Sequence, residues 1–174
     1  VRHVGVSNYN RQQLKDVHAA FAARNVRLAS NQFRFNILDR SAEISGLLEE
    51  TLSLGVTPVA YEPLAQGLLT GKYTENQTSP GSKYTLQQLK LVKQLTNLMK
   101  FVGAVGARGE PRSITEVALA YCISKGVVAI PGIKNEGQAR EAVRALNWAM
   151  SRDIVETLDE KSDYIVRQQG RMRS

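Results

Sequence analysis

The sequence has little cysteine, histidine and aromatic character, and each shortage excludes a class of protein. Cys122 is the single cysteine in 174 residues, so no disulfide can form within the chain and a reducing compartment is expected. One cysteine and two distant histidines do not make a metal site, and none is predicted. No apolar run approaches the ~18 residues that a membrane span needs. Aromatic residues make up 6% and do not alternate with basic ones, so nucleic acid is not an expected partner despite the net charge of +7.

Four segments share one pattern, in which a β-prone run is followed by a polar or glycine-rich elbow and then a helix. The β-prone runs cover residues 2–6, 26–30, 57–61 and 127–130. Capping residues and apolar stripes predict helices that begin near Asn10, Ile44, Thr85, Ser113, Asn135 and Ser151, the last one running through Leu158. Loops are predicted over 74–83 and 104–112, and the basic segment 164–174 is predicted to be disordered. Strands alternating with helices predict a parallel sheet. This pattern fits both an open doubly wound sheet and part of a (β/α)8 barrel.

Two of the elbows have the composition of phosphate-binding loops. The stretch PVAYEPLAQGLLTGKY, residues 58–73, places two glycines and Lys72 after the third β-prone run. In the fourth elbow, Gly132 and Lys134 precede a helix N-terminus, where free N–H groups and the helix dipole favour an anion. A solvated lysine and a well-capped helix explain the same residues, and these alternatives stay open.

Five segments in series resemble the second half of an aldo-keto reductase. They are GVSNY at 5–9, NQFRFN at 31–36, AYEPLAQGLLTGKY at 60–73, EVALAYCISKGVVAIPGIKN at 116–135 and LDEKSD at 158–163. The resemblance implies an α/β fold that forms the C-terminal half of a (β/α)8 TIM barrel, with about four parallel strands and flanking helices. It implies one partial barrel over 1–163, a basic tail over 164–174, and NADPH binding without a Rossmann domain.

The resemblance also implies the residues of a cofactor site. Ser7, Asn8 and Gln32 would hold the nicotinamide carboxamide, and Tyr61 would stack on the nicotinamide ring. The pyrophosphate would be lined by Pro63, Leu64, Ala65, Gln66, Gly67 and Lys72, and the adenosine with its 2′-phosphate by Gly132, Lys134, Gln138 and Glu141. Lys134 favours NADP(H) over NAD(H), because a cation there matches the additional phosphate. Three residues depart from the family pattern, namely Arg34, Glu62 and Ala142, and the Glu62 carboxylate is expected to face a phosphate-binding loop unfavourably.

No catalytic residue is predicted, because the family's catalytic Asp, Tyr, Lys and His come from strands that no segment here resembles. The resemblance implies a parent enzyme that reduces aldehydes or ketones with NADPH, this chain supplying the cofactor-binding half and being inactive alone. One alternative is a non-catalytic NADPH-binding or regulatory module, such as a truncated protein similar to potassium-channel β-subunits. Another is a phosphate-binding α/β domain unrelated to reductases. We expect a missing N-terminal half or self-association to cover the open sheet, and a location in the cytoplasm or the plastid stroma.

Overall fold

Four parallel strands form one sheet in the computed structural model, which describes residues 1–73, 84–105 and 110–171. The strands are β1 (Val4–Ser7), β2 (Leu28–Arg34), β3 (Thr57–Tyr61) and β4 (Val128–Ala129), and each pairs with the next along the chain. Doubly wound sheets reverse their strand order at a switch point, whereas barrel strands follow chain order. The observed order is that of a barrel segment, and the predicted α/β class with four parallel strands and flanking helices is confirmed.

Helices follow the strands and begin where the capping residues predict. They are α1 (Arg11–Ala22), α2 (Ser41–Ile44), α3 (Leu47–Ser53), α4 (Leu86–Val105), α5 (Ile114–Ser124), α6 (Glu136–Arg144) and α7 (Arg152–Arg171). At α1, the Asn10 side chain accepts from the Gln13 backbone N–H at 2.9 Å, and the Gln13 side chain accepts from the Asn10 N–H at 3.0 Å. This reciprocal capping box satisfies N–H groups that have no partner within the helix.

Three predicted boundaries are wrong. The second strand continues to Arg34 because it pairs along its length with a strand on each side, so Gln32 lies within β2 and not in an elbow after it. The helix predicted near Ile44 is split into α2 and α3 at Gly46, whose φ of +73° is left-handed, and Ile44 is exposed. Residues 104 and 105 belong to α4 and not to a loop.

The predicted disorder of the basic segment 164–174 is also wrong for residues 164–171. Helix α7 does not end at Leu158 but continues to Arg171. Ile165 is completely buried in the hydrophobic core, and this contact explains why the helix extends into the basic segment. The loop predicted over 74–83 lies outside the described residues.

The two faces of the sheet differ in burial. Asn31, Phe33 and Ala60 point to the face that packs against the helices, and each is almost completely buried. Gln32 and Arg34 alternate with them and point to the opposite face, which remains partly exposed. Cys122 lies in the core, as predicted, and burial raises the pKa of its thiol to about 12. Among the described helices, none is long and apolar enough to cross a membrane.

A charged network joins three helices on the outer side of the sheet. Asp159 of α7 contacts Lys125 at 2.6 Å and Arg40 at 3.3 Å, and it accepts a hydrogen bond from the buried Tyr121 hydroxyl. Glu43 of α2 pairs with the same two cations. Their side chains are 11% (Arg40) to 27% (Glu43) exposed, so removing one member leaves buried groups without a partner.

Replacing Asp159 with Ala is expected to lower the free energy of unfolding by about 3 kcal/mol, because Lys125 and Tyr121 lose a buried partner. Glu156→Ala is the matched control on the same helix. Its partner Arg152 is 89% exposed, so the expected change is within about 0.5 kcal/mol. Urea denaturation measures both. Equal losses in the two variants would contradict this role for Asp159.

The same network is expected to make the protein sensitive to acid. Burial alone would raise the pKa of Glu43, but hydrogen bonds from Lys125 and Arg40 outweigh burial and hold that pKa below its ordinary value of 4.5. A carboxyl whose pKa is lower in the folded state stabilises the fold above its unfolded pKa, and this stability is lost as the pH falls below about 4.5.

Unfolding by urea between pH 7 and pH 3 tests this dependence. Glu43→Gln is expected to lose less stability on acidification than the unaltered chain. Glu49→Gln, which removes an exposed carboxylate on α3, is expected to leave the acid dependence unchanged. An unchanged acid dependence in Glu43→Gln would rule out this contribution.

Candidate functional site

Two loops at the carboxyl ends of β3 and β4 enclose a cleft of about 590 Å³. The first is the glycine loop, residues 62–72, and the second runs from Ile130 into the first turns of α6. Among the residues predicted to hold a cofactor, the cleft brings together Pro63, Leu64, Gln66, Gly67, Lys72, Gly132, Lys134, Gln138 and Glu141. Ligands of parallel α/β folds bind at this end of the strands.

The glycine loop turns sharply and brings Lys72 back over its own backbone. Ala65 N donates to Glu62 O at 2.9 Å and Gly67 N donates to Leu64 O at 2.9 Å, which closes two successive turns. Gly67 has φ of +91°, and a Cβ atom there would lie 2.6 Å from Lys72 Cε. Only glycine therefore allows the lysine side chain to cross the loop at this point.

The second loop ends in a capped helix N-terminus that faces the cleft. The Asn135 side chain accepts from Gln138 N at 3.0 Å, and Gln138 Oε1 accepts from Lys134 N at 2.7 Å. Lys134 itself is exposed at the start of α6. The helix dipole and the lysine place positive charge at the same wall of the cleft.

Four ionisable side chains of the described residues line the cleft, two cationic and two anionic. Lys72 and Lys134 are the cations, and Glu62 and Glu141 are the carboxylates. Glu141 accepts a hydrogen bond from the Ser113 hydroxyl, which also caps α5 through Glu116 N at 3.1 Å. Lys72 Nζ lies 4.9 Å from the centre of the Tyr73 ring.

The residues predicted to hold the nicotinamide form a second group beside the cleft. Ser7 is opposite Gln32 in the sheet, and Asn8 N donates to Gln32 O at 2.7 Å. The Tyr61 hydroxyl donates to Asn8 Oδ1 at 3.0 Å, and Asn8 Nδ2 donates to Ser7 Oγ at 3.2 Å. These four residues are therefore neighbours at the carboxyl end of the sheet, but they do not line the cleft. Ala65 lies on the other side of the glycine loop, in a smaller cavity.

Sequence reasoning missed an ion pair between two of the residues that depart from the family pattern. Arg34 Nε lies 3.1 Å from Glu62 Oε2, and the guanidinium lies 5.9 Å from the centre of the Tyr61 ring. The expectation that the Glu62 carboxylate faces the loop unfavourably omits this partner. The signal was present, because opposite charges at the ends of adjacent parallel strands lie within reach of each other.

The cleft is therefore suited to binding an extended anion. It offers two lysines, a helix N-terminus and the backbone of a tightly turned loop. Within the described part of the chain, no group of three or more His, Cys, Asp or Glu residues is arranged to hold a metal ion.

Comparison with known proteins gives consistent matches over most of the chain. The profile described as the aldo/keto reductase family matches residues 1–163. The chloroplastic pyridoxal reductase of Arabidopsis thaliana is 35% identical over 156 residues, which are 88% of this chain and 41% of that protein. The L-glyceraldehyde 3-phosphate reductase of Escherichia coli K12 is 30% identical over 154 residues, 83% of this chain and 44% of that protein.

The crystal structure of the thermostable aldo-keto reductase Tm1743, in complex with the inhibitor epalrestat, superposes with a TM-score of 0.66 at 30% identity. The match covers 92% of this chain and 48% of that one. The chain thus spans about half the length of the relatives that it matches.

Proposed function

The chain belongs to the aldo/keto reductase family, and on that premise we propose that its cleft binds NADP(H) as the cofactor-binding half of a carbonyl reductase. The observation that carries the proposal is the convergence of the glycine loop and the N-terminus of α6 on one cleft. The two lie far apart in the sequence, and both present groups that bind phosphate. The pyrophosphate would lie along the glycine loop beside Lys72.

Lys134 supports NADP(H) over NAD(H). It is exposed at the start of α6, where a cation and the helix dipole both attract the 2′-phosphate that NADPH carries and NADH lacks. Glu141 and Gln138 line the same wall and would contact the adenosine.

The group on the sheet supports a nicotinamide site next to the cleft. Ser7, Asn8 and Gln32 present hydroxyl and amide groups, which can both donate to and accept from a carboxamide. Tyr61 lies between this group and the glycine loop, so a dinucleotide that stacks on its ring can extend into the cleft.

The reaction proposed for the whole protein is the reduction of an aldehyde or ketone, with NADPH supplying the hydride. The relatives named above are a pyridoxal reductase and an L-glyceraldehyde 3-phosphate reductase, which are consistent with a small carbonyl substrate. In this chain the proposed roles are binding and orientation of the cofactor, and no catalytic residue is assigned. A non-catalytic NADPH-binding module is the second candidate, favoured by the ion pairing of Arg34 beside the Tyr61 ring.

Titration with NADPH and NADH, followed by nucleotide fluorescence and calorimetry, tests the cofactor proposal. Lys134→Ala is expected to weaken NADPH binding about tenfold, the size of one lost charge-assisted hydrogen bond, and to leave NADH binding within about twofold. Lys100→Ala, an exposed lysine on α4, is the control and is expected to change neither. Absence of NADPH binding by the folded chain, or equal loss for both nucleotides, would contradict the assignment.

We further propose that the open face of the sheet is covered in the functional protein, either by the other half of a barrel or by a second copy. Val128 and Ile130, at the end of β4, are 50% and 44% exposed, and in the described residues β1 and β4 each pair on one side only. Unpaired edges and exposed apolar side chains promote association.

For the 174-residue chain purified alone, we expect self-association in light scattering, with a mass above that of a monomer. Val128→Lys, placed in the middle of the exposed face, is expected to shift the population towards monomer. Phe101→Lys on α4, at 66% exposure, serves as the control for removing an exposed apolar side chain elsewhere. A monomer that unfolds cooperatively would contradict this expectation.

A further inference from the structure

Glu62 places a carboxylate at the base of the glycine loop, where an anionic ligand is expected to lie. Its side chain lines the cleft together with Lys72 and Lys134. Two anionic groups that approach within a Debye length, about 10 Å at ordinary salt, repel each other. A cleft that binds a polyanion therefore needs this carboxylate neutralised or directed elsewhere.

The structure holds Glu62 from several sides. Its carbonyl oxygen accepts from Asn36 Nδ2 at 3.0 Å, and its Oε1 accepts from Gln66 Nε2 at 2.7 Å. Its backbone φ is +52°, a left-handed conformation that is uncommon for a residue other than glycine. Contacts of this kind are what keep a residue in such a conformation.

Arg34 supplies the charge that opposes this carboxylate. It is the last residue of β2, opposite Tyr61 in the sheet, and it reaches across the end of β3 to Glu62 Oε2 at 3.1 Å. Asp39, at 3.9 Å, is its second acidic neighbour. Arg34 does not line the cleft, so its influence on a ligand there acts through Glu62.

We propose that Arg34 is a positioning residue for the anion-binding cleft, because it neutralises Glu62 and holds its carboxylate towards the end of β2. The inference rests on the proposed NADP(H) site. It makes the affinity for the dinucleotide depend on a side chain outside the cleft lining. It also predicts that the two residues are energetically coupled, because a lone carboxylate harms binding whereas loss of both charges does not.

A double-mutant cycle on the complete chain tests the coupling, with NADPH as the ligand. Arg34→Gln is expected to weaken binding about tenfold, within the range of coupling between residues in contact. Glu62→Gln is expected to bind NADPH as tightly as the unaltered chain or more tightly. The double variant Arg34→Gln/Glu62→Gln is expected to return to within about twofold of the unaltered chain.

Salt separates charge repulsion from structural damage. Repeating the titrations at ~50 mM and ~500 mM salt is expected to shrink the defect of Arg34→Gln, because salt screens repulsion between exposed charges. A misfolded loop would keep its defect at high salt. Arg11→Gln is the matched control, since Arg11 pairs with Glu50 at the same distance of 3.1 Å and is 52% exposed, compared with 48% for Arg34.

Three results would overturn the inference: Arg34→Gln binding as tightly as the unaltered chain, a double variant as weak as Arg34→Gln, or Glu62→Gln binding more weakly than the unaltered chain. The last comparison decides the matter even where Arg34→Gln fails to fold. If the unaltered chain does not bind NADPH, the proposed function fails and this inference fails with it. If the unaltered chain binds NADPH but the two residues show no coupling, only this inference fails.

Discussion

The parallel register of β2 with its two neighbours is the constraint on which the candidate site depends. It sets Ser7 beside Gln32 on one side of the strand and Arg34 beside Tyr61 on the other. Because side chains alternate along a strand, a shift of one residue would turn Gln32 and Arg34 towards the helices. The same shift would expose the buried Phe33, so packing of the core fixes the arrangement of the polar face.

The helices reach the sheet through contacts of a different kind. Apolar side chains cover the inner side of the helical layer, whereas its outer side is joined by the charged network around Asp159. This network joins α2, α5 and α7, which are far apart in the sequence. Charged groups need specific partners and geometry, and buried apolar groups do not. The network therefore defines which helices are neighbours, while the apolar core supplies most of the driving force for folding.

Local patterns in the sequence were sufficient to predict the strand–helix alternation, most helix starts and the residues of the cleft. Asn10 and Ser113 cap helices as expected, because capping depends on residues three positions apart. The errors are of the opposite kind. Extension of β2 to Arg34 depends on pairing with two distant strands, and extension of α7 depends on burial of Ile165. Neither interaction leaves a local signal, and the pairing of Arg34 with Glu62 depends on the same long-range register.

The charge balance of the cleft shows why its lining residues alone do not describe it. Two lysines and two glutamates line it, so a count of formal charges gives no preference for an anion. Each carboxylate, however, is engaged by a residue that does not line the cleft. Arg34 of β2 pairs with Glu62, and Ser113 at the start of α5 donates to Glu141. Neither lysine forms an ion pair with a carboxylate among the described residues within 4.0 Å. The positive charge therefore remains available to a ligand while the negative charge is already occupied, and this asymmetry makes the cleft a site for a phosphate-bearing molecule.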